Sequence, residues 1–233
     1  MVFNVGRTPD LNLSLIYHLD TCSINSTCEC KALDSVNSIK YLGLSIDSNL
    51  KWKSHILYIV KKLRFLLFRF KHLRYSTSNK FLLQLYYAWV HPVLSYGIVA
   101  WGSDYISNFS VINSLHSKIL KIILNNNNHV NLLIYHSINI LPLRYLYFYK
   151  TSIFIFKNPD FCERKIFTSL RRTNEIYKIP FPNKEIMRKS FTYLGPKFFN
   201  SLPLNIQSSN SVHLFRKQLK CFLFACSNIE YFF

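Results

Sequence analysis

The sequence predicts a mainly α fold with short strands near the N-terminus. Apolar residues recur at helical spacing through residues 54–74 and 109–124, as one-sided helices require. Phe (20) and Tyr (15) are heavily used while Gly numbers only 5, a balance that suits packed helices better than a turn-rich sandwich. Strand-like patterning is confined to residues 11–19 and 40–47. With 49% hydrophobic residues in 233, the chain can bury a core of one large or two small domains, which excludes wholesale disorder.

Taken in order, Leu11 to Leu19 nearly alternates apolar and polar residues and predicts a half-buried strand. Cys22, Cys28 and Cys30 follow, with His18 just upstream. Thiolate and imidazole are zinc ligands, but a C-x-C lacks paired C-x2-C spacing, so small buried thiols in a hairpin are the expectation. Lys40-Tyr41-Leu42-Gly43-Leu44-Ser45-Ile46-Asp47 predicts a strand with Gly43 inside it, where glycine marks a bulge or close backbone approach. Asp47-Ser48-Asn49 is turn chemistry.

Ser54 to Arg74 carries the cleanest pattern. Ile56, Ile59, Val60, Leu63, Leu66, Leu67, Phe70 and Leu73 form one stripe, with Ser54 as the expected N-cap. Ser76-Thr77-Ser78 ends this helix and caps the next, from about Asn79, which Pro92 must kink or end. A turn is expected at Tyr96-Gly97. Phe109 to Leu124 predicts a helix burying Ile112, Leu115, Ile119, Ile122 and Ile123, closed by Asn125 to Asn128. Leu132 to Phe156 reads as two helices divided near Leu141-Pro142. Residues 158–183 read as a basic linker or exposed loop, and the tail as holding one helix near Val212 to Phe224.

Charge narrows the function classes. Lys plus Arg total 29 against 11 acids, a formal net charge of +18. No acid lies between Asp47 and Asp104, and none from Tyr105 to Pro159. Such single-sign runs point first to nucleic acid and second to an anionic membrane surface. Phe81 to Trp101 is 21 residues without formal charge, long enough to span a bilayer. Gln84, His91, Pro92 and Ser95 make a buried helix followed by a turn the favoured reading, with a small basic membrane protein as the rival. The N-terminus lacks a signal-peptide core, so the six cysteines read as reduced intracellular thiols. No Gly-rich phosphate loop, G-x-S-x-G or H-E-x-x-H occurs, and no close carboxylate pair stands in a supporting motif. No catalytic residue is assigned. What remains is a basic helical surface interleaved with aromatics, suited to phosphates and to base stacking.

Ile39-Lys40-Tyr41-Leu42-Gly43-Leu44-x-Ile46-Asp47-x-x-Leu50-x-Trp52-x-x-His55-Ile56 resembles the end of the reverse transcriptase domain of non-LTR retrotransposons of the jockey-like and CR1-like group. Leu85-Tyr86-Tyr87-Ala88-Trp89-Val90-x-Pro92-x-Leu94-x-Tyr96-Gly97 with Trp101-Gly102 looks like its thumb helix, and Leu115-x-x-Lys118-Ile119-Leu120-Lys121-Ile122-Ile123 like the next helix. Ser190-Phe191, Gly195-Pro196, Phe199-Asn200-Ser201-Leu202-Pro203 and Phe215-x-Lys217-x-Leu219-Lys220 resemble the polyprotein tail. Phe199 stands where Trp is common, His116 where Gln is, and Lys121 where Arg is.

The resemblance implies three parts. Residues 1–52 would be the end of the palm with the primer-grip hairpin, 53–157 thumb-like and connecting helices, and 158–233 a basic post-polymerase tail. Tyr41, Leu42 and Gly43 would support the primer end, and Lys61, Lys62, Arg64, Arg69 and Lys71 would track phosphates. The family's activity is RNA-directed DNA synthesis. Its Mg2+-binding aspartates are expected upstream of Met1, so no cofactor is assigned to this chain and it is expected to be inactive alone. The implied partners are an RNA template and a DNA primer, in a cytoplasmic and nuclear transposon ribonucleoprotein. A transposon relic without function is a further alternative. The isolated chain is expected to be poorly soluble, because a strand edge lacking its neighbours invites aggregation.

Overall fold

A computed structural model describes residues 15–16, 32–33, 36–103, 106–126, 131–164, 176–181 and 185–226. It is mainly α, with short N-terminal strands, as the sequence predicts. Within the strand expected at residues 11–19, β1 (Leu15–Ile16) pairs antiparallel with β2 (Ala32–Leu33). His18, Cys22, Cys28 and Cys30 lie outside the described residues.

The second strand pair departs from expectation. β3 (Ser38–Tyr41) and β4 (Leu44–Asp47) form an antiparallel hairpin with Tyr41 opposite Leu44. Leu42 and Gly43 are the two turn residues, with φ of 45° and 80°. Gly43 is therefore not inside a strand: positive φ at both central positions is what a type I′ hairpin turn demands.

α1 (Lys53–Leu73) buries Ile56, Ile59, Val60, Leu63, Leu66 and Phe70, as its stripe requires, with Leu67 and Leu73 half-buried beside them. The predicted Ser54 cap is not formed. Trp52 occupies the cap position with φ 54° and offers no side-chain bond. The Asp47 carboxylate, reaching across from β4, accepts from the Ser54 N–H at 3.4 Å. The free donors of the first turn are thus met partly by the hairpin. Ser78 caps α2 (Asn79–Leu85), accepting from the Phe81 N–H at 3.4 Å.

Phe81 to Trp101 is broken rather than continuous. After α2 the chain widens into a π turn at Tyr86–Val90, then continues as α3 (His91–Ser95). The His91 N–H bonds Tyr86 O, five residues back, immediately before Pro92, which has no N–H to give. Gly97 (φ 60°) then starts α4 (Ile98–Trp101). Leu82, Tyr86, Val90, Leu94, Ile98 and Trp101 are all buried in protein. Among the described residues no helix is long and apolar enough to cross a membrane.

α5 (Ile106–Leu124) packs along α1 and buries Ile112, Leu115, Ile119 and Ile123. Asn125 closes it with φ 52°. α6 (Leu132–Ser137) and α7 (Leu143–Lys157) are divided at Leu141-Pro142, as predicted.

The stretch expected to be an exposed linker is partly folded in. Cys162 and Tyr177 are buried, Arg164 bridges Tyr177, and the Asn200 side chain accepts from Ile176 and Tyr177 N–H while donating to Tyr177 O at 2.7 Å. The tail holds more helix than predicted: α8 (Glu185–Arg188), α9 (Phe191–Asn200) and α10 (Leu204–Gln207) precede α11 (Val212–Ala225). α9 contains Gly195 and Pro196, ordinarily helix breakers. A Cβ on Gly195 would lie 2.6 Å from Ile155 Cδ1, so glycine lets α9 settle closely on α7. Phe198 then stacks on Phe148 at 4.5 Å and Phe215 on Phe156 at 4.2 Å. Buried residues from Ile56 to Leu223 belong to one core.

Candidate nucleic-acid interface

The hairpin tip and the outer face of α1 hold every residue singled out from sequence. Tyr41 and Leu42 are exposed at the tip. The Tyr96 hydroxyl donates to Leu42 O, and the Tyr96 ring edge sits 3.4 Å from where a Gly43 Cβ would be. A Cβ on Gly97 would lie 2.6 Å from Leu44 Cδ2. The Tyr-Leu-Gly turn therefore rests on Tyr96-Gly97, 54 residues further on.

Behind the tip, His55 joins strand to helix. It is buried, its Nδ1 receives the Ser45 N–H at 3.5 Å, and its ring lies 5.9 Å from that of Trp101. The Trp101 indole N–H in turn donates to Tyr96 O at 2.8 Å. Burial holds the His55 imidazole below its ordinary pKa, keeping it neutral and able to accept. The hydrogen bond with the Ser54 side chain foremost, and the backbone N–H groups of Ser54 and Lys53, hold the Asp47 carboxyl below the usual range. Leu50 and Trp52, on either side of Lys51, adopt φ of 52° and 54°, a region disfavoured for bulky side chains. The link between hairpin and α1 is thus a specified corner, not a loose joint.

The cations of α1 do not form one cluster. At 100° per residue they fall in two rows on the face opposite the core. One row runs Leu57, Lys61, Arg64, Phe68, Lys71; the other Tyr58, Lys62, Phe65, Arg69. Exposed apolar side chains stand among the cations of both rows, Leu57 (60%), Tyr58 (50%), Phe65 (54%) and Phe68 (61%) being open to solvent. Contacts within the second row are direct. Lys62 Nζ stands 5.9 Å from the Tyr58 ring, and the Arg69 guanidinium 4.5 Å from the Phe65 ring and 5.9 Å from Trp89. Cation–π contact of this kind holds charge against an aromatic face while leaving its donors outward.

Lys61 to Lys71 spans about 15 Å of helix axis, the rise of about four nucleotides of one strand. Lys71 stands about 24 Å along the axis from His55, so the tip and the far cations mark opposite ends of a surface. Charge runs mark these cations in the sequence but do not mark Tyr58 and Phe65, which meet Lys62 and Arg69, or Phe68, which meets His72. These lie on the far side of the wheel from the buried stripe, which was the available signal. The docking of Tyr96 on Leu42 had no local signal.

Among the described residues no group of three His, Cys, Asp or Glu side chains gathers to hold a metal ion. Among the described residues of the hairpin and α1, Asp47 is the one carboxylate, which is fewer than the Mg2+ of polymerase chemistry needs. Comparison with protein-family models, curated proteins and solved structures yields no match.

Proposed function

We propose that this chain is the primer-grip, thumb and tail portion of a non-LTR retrotransposon reverse transcriptase, and that it holds an RNA template and DNA primer without performing synthesis itself. The observation that carries the reading is the meeting of motifs far apart in sequence: the Tyr41-Leu42-Gly43 turn lies on Tyr96-Gly97, and His55 lies against Trp101. Residues that resemble separate motifs of one family build one corner.

Leu42 adds support. A left-handed residue in such a turn is ordinarily Asn, Asp or Gly, yet here it is a leucine with 72% of its surface exposed. Strain of this kind clusters at binding and catalytic positions. In this reading Leu42 and Tyr41 bear on the primer end, while Lys61, Lys62, Arg64, Arg69 and Lys71 take phosphates and Tyr58, Phe65 and Phe68 give bases or sugars an apolar face.

Binding of an RNA–DNA hybrid to the full chain, measured against salt, tests it. With all five cations on phosphates, log K should fall against log salt with a slope of roughly −4. An affinity that stays flat from low to moderate salt would sink the proposal.

A further inference from the structure

We propose a second anion site, built from residues other than those of the α1 surface, that takes a phosphate group. It is a cavity of about 310 Å³ where the π turn, the α6–α7 connection, α7 and α11 meet. Its chemistry comes from Tyr87, His91, Tyr149, Lys150, Arg216 and Lys220. Ile140, Leu141, Leu146 and Ile153 make it apolar elsewhere. Among the described residues no carboxylate lines it.

Three cations converge there from two helices. Arg216 and Lys220 are one turn apart on α11, a like-charge i,i+4 pair that disfavours the helix, and Lys150 joins them from α7. Lys150 and Lys220 are both half-buried. Burial first, then the charges of Arg216 and Lys157, hold the Lys150 ammonium below its usual pKa. Burial, then Lys150 and Lys220, do the same to His91. Cations drawn partly out of water beside one another lose hydration and repel, and an anion between them relieves both costs.

The geometry favours phosphate over a single carboxylate. Lys220 spends one proton on Asn139 O at 2.9 Å, and an ammonium carries three. The Arg216 guanidinium presents a planar fork suited to two oxygens. Tyr87 is already committed, its hydroxyl donating to Ile138 O and Asn139 O at 3.3 and 3.2 Å, so its ring forms a wall. Three positive charges match a multiply charged phosphate, whether free, on a nucleotide, or at the end of a strand.

This site shares no residue with the hairpin tip or the α1 rows, and its test stands apart from theirs. Inorganic pyrophosphate is titrated into the full chain, with melting temperature and calorimetric heat as readouts. We expect saturable binding that raises Tm. K150Q/R216Q should weaken it by about tenfold or more and, without ligand, melt no lower than the native chain because repulsion is relieved. If the double variant fails to fold, R216Q alone, at an exposed position, serves the same comparison. Lys178→Gln, at an exposed cation outside both surfaces, should leave pyrophosphate binding unchanged. Preference for a 5′-phosphorylated over a 5′-hydroxyl oligonucleotide, competed by pyrophosphate, would assign the phosphate to a strand end; binding of pyrophosphate alone would assign it to a small ligand. No saturable response to millimolar pyrophosphate, or equal affinity in the charge variants, would overturn the site.

Discussion

α1 and α7 are both rich in aromatic and aliphatic residues, and they use them in opposite ways. α7 buries nine of its fifteen residues, Tyr145, Tyr147 and Phe148 among them, under α4, α9 and α11. α1 buries seven of twenty-one and turns Tyr58, Phe65 and Phe68 outward between cations. The difference teaches that aromatic content alone does not mark a core. In α7 apolar residues surround the axis and the helix is a central strut. In α1 a regular stripe already satisfies the core, so further aromatics on the opposite face are surplus to folding and point to a surface that meets something.

Substitutions that treat the two helices alike separate them most sharply. Phe148→Ala empties a fully buried position stacked on Phe198 and should cost about 3–5 kcal/mol in urea unfolding. Phe65→Ala should cost less than about 0.5 kcal/mol yet weaken single-strand or hybrid binding by about 1–3 kcal/mol. Equal losses of stability at the two positions would erase the distinction.

The core itself should respond to pH through one histidine. His116 of α5 is fully buried with Nε2 2.7 Å from the Tyr86 hydroxyl, and burial, with a smaller contribution from His91, depresses its pKa to about 3. The unfolded chain takes up a proton near 6.5 that the folded chain refuses. Stability is therefore full above that pH and should decline by several kcal/mol as pH falls toward 3. His116→Gln can still bond Tyr86 and should flatten this decline; unchanged pH dependence in denaturant titrations would count against the assignment.

Gly97→Ala probes the seat of the hairpin. Its φ of 60° and the Leu44 contact both oppose a side chain, so a loss of about 1–2 kcal/mol is expected, with α7 untouched. Arg69→Gln, by contrast, should leave Tm in place and reduce the salt slope of hybrid binding by about 1. The smallest effect is expected at the tip. Leu42→Asn suits the turn and should stabilise by roughly 0.5 kcal/mol, while weakening primer-end binding if leucine serves it.

The α1 stripe was legible because one period runs unbroken from Ile56 to Phe70. The division at Pro142 and the cap at Ser78 were legible because each is set by a single residue's local chemistry. The hairpin turn was misread because Leu42-Gly43 lacks the Asn-Gly signature, and its support, Tyr96, is remote in sequence. Ser54 lost its role because Asp47 could reach the same helix end through tertiary structure. α9 was hidden by Gly195 and Pro196, whose local cost is outweighed by packing on α7. The candidate site was half legible: charge runs gave its cations, but not the contacts of Lys62 and Arg69 with aromatic rings.

The π turn at Tyr86–Val90 works as a phase correction. Leu82, Tyr86, Val90, Leu94 and Ile98 are buried at a constant interval of four, and in a regular helix each such step drifts 40° around the axis. Widening one turn absorbs part of that drift, and Pro92 and Gly97 complete the adjustment. Removing one residue from the turn would rotate all that follows by about 100°. Tyr96 would swing away from Leu42, and the hairpin would lose its footing although no residue of either had changed.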